Sequence, residues 1–337
     1  RIYSGVDNGH PMVPMQAIVD MGNPKVTWFA DYINGVVKNY DTWGGTNYFA
    51  PMGPNTSEVY SMSVSNQDLW VARGNHSDTW GGVYNEAEAY KFSNESWSSF
   101  TKNEIPALDT MRDIVSVAID PSNKDHVYLG TLGQGLVELN SGALVNVWNE
   151  ANTNNALQST CVGNFHWVGI YGLTFDQNGN LWISNSGTAN PLVVRKADGT
   201  WQSFSFSGMT PNCITNGSLI VNQYNQKWMV LPRQNGLFVY DENGTWGVND
   251  DKKIHLSFPA CVANTSGNSA DLPTDALCLA EDKSGDIWLG TDKGIAVFYC
   301  PDQVFASGGC KAQQIFIQQD GHTQILLATE IVTAIAV

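Results

Sequence analysis

Residues able to do chemistry are present in this 337-residue sequence, but their spacing assembles no familiar reaction centre. The 6 histidines stand apart from one another, and the 6 cysteines, all between Cys161 and Cys310, include no Cys-x-x-Cys pair. Metal ligation therefore lacks a donor set, and neither metal nor cofactor is expected. There is no glycine-rich phosphate loop and no serine-centred nucleophile elbow. Aspartates crowd the turn-like segments, yet no two are spaced as a glycoside-hydrolysing acid/base pair, and no catalytic residue is expected. One short motif does recur: Asp41-Thr-Trp-Gly-Gly45 returns as Asp78-Thr-Trp-Gly-Gly82. The second copy lies in a long insertion, Asn75–Tyr84, where His76, Trp80 and Tyr84 form a candidate ligand-binding set. Trp80 would stack on a sugar ring and His76 would hydrogen-bond to it, because aromatic rings offer an apolar face with a polar edge. The competing reading is that both copies are structural turns and that the insertion packs on its neighbours.

The cysteines carry a second expectation. Cys300 and Cys310 flank a loop that a disulfide would staple, and Cys161, Cys213 and Cys261 each sit in a polar linker before a new run of strands. Bonds Cys300–Cys310 and Cys161–Cys213 are expected, with the pairing of Cys261 and Cys278 left open. Such bonds point to an oxidising compartment, the periplasm or the cell surface.

The elements that must position these residues are short strands. Leu272 to Tyr299 reads as three of them, centred on Ile287-Trp288-Leu289-Gly290-Thr291 and separated by turns at Asp282-Lys-Ser-Gly285 and Asp292-Lys-Gly294. The pattern Asp-x-x-Gly-x-apolar-Trp recurs at Asp176–Trp182, and Asn222–Trp228 keeps the spacing. Asp20–Trp28 and Asp120–Tyr128 carry longer turns, and Val64–Trp70 a tighter one. The anchors Trp28, Trp70, Tyr128, Trp182, Trp228 and Trp288 thus recur at roughly 40 to 60 residues, the period of propeller blades or solenoids. Gly35, Gly135, Gly236 and Gly294 open the third strand downstream of four anchors. A lone meander cannot bury both faces, and radial packing of copies solves this. The expected fold is all-β: a single β-propeller domain over residues 1–337, with six recognisable blades. Ile331–Val337 reads as the first strand of a further blade, giving a seven-bladed arrangement and marking the chain as a fragment of a longer multi-domain protein. In this strand reading the Asp41 and Asp78 motifs emerge on opposite faces, which argues against one shared site.

Composition narrows the partners. Lys+Arg 17 against Asp+Glu 32 gives a net charge of -15, which disfavours nucleic acid and anionic membrane surfaces. No apolar run approaches the roughly 20 residues that span a bilayer. The hairpins at Asp198-Gly-Thr-Trp201 and Glu242-Asn-Gly-Thr-Trp246 faintly resemble the Asp-box of sialidases, but Lys196 stands where the box has serine. Arginine is scarce in the body of the chain (Arg73, Arg112, Arg195, Arg233), so no carboxylate-binding arginine cluster is expected.

The pattern Leu272-Pro-x-Asp275, Ala280-Glu-Asp282-x-x-Gly285-x-Ile-Trp288-Leu-Gly-Thr291-x-x-Gly294-Ile resembles the two-component regulator propeller repeat of Bacteroidetes. That repeat builds periplasmic sensor ectodomains of hybrid two-component systems and PorZ-type proteins of the type IX secretion system. The PorZ type is the closer match, through Gly290–Tyr299, Gln318-Gln-Asp-Gly321 and Leu326–Val337. The resemblance is sharp only beyond Leu272. It implies a non-catalytic binding or scaffold module of a surface protein that works with a sortase-like partner and recognises anionic lipopolysaccharide. The alternative it implies is a periplasmic sensor ectodomain that binds a glycan. It carries over no lipopolysaccharide-binding residue.

Overall fold

A computed structural model describes residues 5–7, 10–40, 45–49, 53–65, 67–161, 166–209 and 213–337. The chain divides into two compact units, Arg1–Asn55 and Thr56–Val337. Strands dominate, and the described helices are three short 3-10 turns at Pro106–Thr110, Ser269–Asp271 and Pro301–Gln303.

Each of the six aromatic anchors stands on the second strand of a four-stranded antiparallel meander. These strands are Val26–Asp31, Asp68–Arg73, Asn123–Gly133, Leu181–Ser186, Lys227–Leu231 and Ile287–Thr291. The Tyr128 and Trp182 meanders are joined into one sheet because the long strand Asn123–Gly133 continues past its own blade and pairs with Val168 and Gly169.

The turn chemistry explains why the motif repeats. Asp176 Oδ1 accepts the backbone N–H groups of Asn178 and Asn180, both at 2.9 Å, while Oδ2 accepts the Trp182 indole N–H at 2.9 Å. Asp282 does the same for Ser284, Asp286 and Trp288, and Asp20 for Gly22, Asn23 and Trp28. One carboxylate closes the turn and orients the ring on the next strand, an Asx-type device extended to a side chain. Where the aspartate is replaced by Asn222, Gln226 Oε1 accepts the Trp228 N–H at 3.1 Å instead. Trp70, in the tighter copy, has a buried indole N–H with no partner among the described residues.

The glycines that open third strands are required by close approach. At Gly236 (φ 85°) an added Cβ would lie 2.0 Å from the Leu256 carbonyl oxygen, and at Gly135 (φ 89°) 2.1 Å from that of Trp148. In both, the fourth strand crosses the start of the third at the same point.

Within the larger unit the core is divided among consecutive sheets. One cluster joins Trp70, Ala89 and Phe100 to Val117, Leu129 and Val137, and the next joins Tyr128 and Leu136 to Ile170 and Ile183. A third joins Trp182 and Val194 to Met229 and Phe238, and a fourth joins Trp228 and Val239 to Leu279 and Phe298. The Tyr128, Trp182 and Trp228 sheets thus each bury one face on the preceding sheet and the other on the following one, which is the packing of a β-propeller. The smaller unit has its own core of Met12, Phe29 and Val37, with Trp28 bonded to Asp20 and Lys38 over its ring at 5.0 Å. Beyond the Trp288 sheet, Phe316–Gln319 and His322–Ile325 form a hairpin. Residues 331–337 carry no strand ladder, although Val332 N–H donates to the Thr291 carbonyl at 3.0 Å.

Candidate functional site

The insertion follows the second strand of the Trp70 sheet and is built as a small hairpin. His76 pairs with Gly82, Ser77 exchanges backbone hydrogen bonds with Trp80 and Gly81, and Ser77 Oγ accepts the Gly81 N–H at 3.1 Å. The Asp78–Gly82 motif is therefore a turn, with Trp80 in the left-handed region at φ 61°. Of its earlier counterpart, Asp41–Gly44 lies outside the described residues.

Aromatic stacking holds the hairpin down. The His76 and Trp80 rings stack at 4.1 Å and 14°, and Trp80 also meets the Tyr171 ring at 5.4 Å. Tyr171 O–H donates to the Trp80 carbonyl, and burial keeps that phenol protonated by pushing its pKa up. Trp80 further packs on Gly217, in the linker before the Trp228 sheet, where an added Cβ would lie 3.0 Å from the ring. Tyr60 closes on the other side, edge-on to His76 at 5.4 Å. His76 Nδ1 lies 2.8 Å from the Ser77 carbonyl. Because a carbonyl can only accept, that nitrogen carries the proton and Nε2 of the neutral ring is an acceptor.

Tyr84 departs from this stack. Its φ is 67°, and its backbone N–H donates to Asp113 Oδ2 at 2.7 Å while Asn85 N–H donates to Oδ1 at 3.0 Å. Asp113 is 0% exposed, so a buried carboxylate from the next sheet clamps the end of the insertion. Tyr84 is 64% exposed, and its ring stands edge-on to Trp167 at 5.8 Å. The structure thus brings His76 and Trp80 together and sends Tyr84 to a different neighbour. Reading the sequence missed Tyr60, at the start of the same sheet, Tyr171, from the Trp182 sheet, and Trp167, from a stretch taken as a plain polar linker. The nearby charge is mostly compensated: Arg73 bonds Glu58 and Glu88, and Lys102 bonds Glu86, leaving Asp78 exposed.

Two disulfides lie in the same unit. Cys161–Cys213 ties the linker before the Trp182 sheet to the linker before the Trp228 sheet, and Cys300–Cys310 closes the loop after Phe298. Cys261 and Cys278 are free and buried, and burial pushes their thiols up to about 12 and about 11. Among the described residues no three His, Cys, Asp or Glu side chains are grouped so as to hold a metal ion.

Comparison with known proteins agrees with this architecture. The profile of the two component regulator propeller family matches residues 272–293, the segment around Trp288. No curated protein matches the sequence. Among solved structures, the chain is similar to PorZ, an essential bacterial surface component of the type-IX secretion system of Porphyromonas gingivalis. The TM-score is 0.75 at 20% identity, over 93% of this chain and 42% of that one. It is also similar to the extracellular domain of a putative hybrid two component system from B. thetaiotaomicron, with TM-score 0.50 and 17% identity over 91% of this chain and 36% of that one. Virginiamycin B lyase from Staphylococcus aureus matches more weakly, with TM-score 0.49 and 11% identity over 73% of this chain and 68% of that one. The chain therefore spans about two-fifths of the length of the PorZ structure. It is a β-propeller that carries a two component regulator propeller repeat at residues 272–293.

Proposed function

We propose that this chain is a non-catalytic propeller module that binds a partner at the cell surface or in the periplasm, through the face its insertion covers. The observation behind this reading is the presentation of Tyr84. Its ring is exposed, yet its backbone is fixed by a buried carboxylate and its edge by Trp167. An aromatic group held in advance loses little conformational freedom on binding, and Tyr and Trp dominate recognition surfaces for that reason. His76 and Trp80 form a separate, half-buried stack in the same insertion and offer the Nε2 acceptor.

The likeness to PorZ supports a place in a secretion-type surface assembly, with a subunit of that assembly or a lipopolysaccharide glycan as the partner. The two disulfides support an oxidising compartment, and among the described residues no helix is long and apolar enough to cross a membrane. With a net charge of -15, contact with an anionic glycolipid relies on local donors and aromatic platforms or on a divalent cation between acidic groups. The likeness to a two-component ectodomain supports a second reading, a sensor that binds a glycan. A histidine kinase encoded after the propeller distinguishes it.

The test is a lipopolysaccharide pull-down and a glycan array with the wild-type chain, Tyr84→Ala and Trp80→Ala. Tyr84 is exposed, so its removal leaves the fold intact, and binding is expected to fall about tenfold or more. Unchanged binding in both variants makes the insertion purely structural. Turnover of a glycan by the purified chain overturns the non-catalytic reading.

A further inference from the structure

The turns between first and second strands lie at the opposite end of the sheets from the insertion, and there the Tyr128 and Trp182 sheets form an open cleft of about 550 Å³. Its lining includes His126, Tyr128, Phe175, Gln177, Asn178 and Arg195. That volume lies within the roughly 300–1,000 Å³ typical of small-ligand sites.

Arg195 is the unusual group. Its side chain makes no hydrogen bond among the described residues, and its Nε is buried without a partner. Its nearest carboxylate, Glu138, is 3.7 Å away, beyond hydrogen-bond reach. Glu138 is already filled by His126 Nε2 at 2.7 Å, the Tyr128 hydroxyl at 2.9 Å and the Trp148 indole at 2.6 Å. The guanidinium is nevertheless held in place, 5.6 Å from the ring centroids of both Tyr128 and Trp148. A planar guanidinium oriented by aromatic faces, with terminal N–H groups that make no hydrogen bond, is a receptor for oxygen atoms.

The charges around it decide which oxygens. Arg195 is balanced by Glu138, and His126 bridges Glu138 to Asp120 at 3.0 Å, so the walls hold at least as much negative as positive charge. An added anion would meet repulsion from two carboxylates, whereas a neutral group rich in acceptors would not. Hydroxyls meet this requirement and also match the exposed Gln177 and Asn178 amides, which supply donors and acceptors on the adjoining turn. Phe175, half-buried at the junction, offers a ring face. A second cavity of about 320 Å³ shares Pro121, Phe175 and Gln177 and continues to the first strands at Ser63 and Val117, giving room for more than one ring.

We infer that this cleft is a second binding site, distinct from the insertion face, and that its ligand is a neutral sugar unit of an oligosaccharide, with Arg195 as the principal donor. The test is an array of neutral and carboxylate-bearing oligosaccharides probed with the intact chain, followed by calorimetric titration of the strongest neutral binder. Arg195→Gln and the double variant Gln177→Ala/Asn178→Ala are each expected to weaken that binding by about tenfold or more, and Lys283→Ala, on an exposed turn of the Trp288 sheet, to leave it unchanged. If Arg195→Gln fails to fold by circular dichroism, the double variant, confined to an exposed turn, decides alone. Three results would overturn the inference: no neutral oligosaccharide bound, a preference for carboxylate-bearing ones, or binding indifferent to these variants. Capture of an extended peptide with the same variant sensitivity would reassign the cleft to polypeptide and overturn it as well.

Discussion

The turn motif that organises the chain makes a quantitative prediction, because the same carboxylate performs the same task at two depths. Asp176 is 4% exposed and accepts four hydrogen bonds, from Asn178 N–H, Asn180 N–H, Asn180 Nδ2 and Trp182 Nε1. Asn180 is 7% and Trp182 0% exposed. Asp176→Ala therefore strands three donors where water does not reach. At about 1 kcal/mol or more for each unsatisfied buried group, the loss is about 3 kcal/mol or more. Asp282 accepts from Ser284, Asp286 and Trp288, but these are exposed or half-buried, so water replaces the lost acceptor. Asp282→Ala is expected to cost about 1 kcal/mol, the net worth of an ordinary exposed capping interaction. Urea unfolding followed by tryptophan fluorescence, with a common slope for both variants, measures the difference as a shift in midpoint. Equal losses in the two variants, or a larger loss at Asp282, would refute the argument that burial rather than the motif itself sets the energy.

Gly236→Ala is expected to cost about 3 to 4 kcal/mol or prevent folding, since the new Cβ meets the Leu256 carbonyl. Gly244→Ala, at φ 72° in open space, should cost only about 1 kcal/mol by the same denaturation assay. Replacing Cys161 and Cys213 together by serine should lower stability by about 2–4 kcal/mol. In the native wild-type chain, alkylation at pH 8 should leave Cys261 and Cys278 unmodified until denaturant is added, read by peptide mass mapping. The Asp68 carboxylate is held down from 3.8 to about 2, first by the Ser93 hydroxyl and then by Lys91 and Lys124, against the cost of burial. Its folded value lies below its unfolded one, so its contribution is complete above about pH 4 and is lost as pH falls toward 2. Asp68→Asn should flatten that part of the stability–pH profile.

Reading the residues in order made the all-β class, the six anchor strands and their turns legible because every interaction that defines them is local. Asp176 and Trp182 are six residues apart, and the carboxylate reaches the indole across a single turn. The third-strand glycines were legible for a related reason: a left-handed backbone excludes other residue types at little remove from the sequence itself. The candidate site was legible only in part. His76, Trp80 and Tyr84 stood out by type, but three facts decide what they present: Tyr171 bonds the Trp80 carbonyl, Asp113 clamps Tyr84, and Trp167 stands beside it. These partners lie 91, 29 and 83 positions away from the residues they hold, and no local pattern encodes such pairings. Arg195 illustrates the limit most plainly. As one of a few scattered arginines it argued against a carboxylate-binding cluster, and only the packing of Tyr128 and Trp148 around it, with Glu138 already filled by other donors, leaves its guanidinium without a hydrogen bond among the described residues. Strand identity follows from short-range alternation and turn chemistry, whereas donor and acceptor balance in a cavity depends on every blade that meets there, and that is decided by tertiary packing alone.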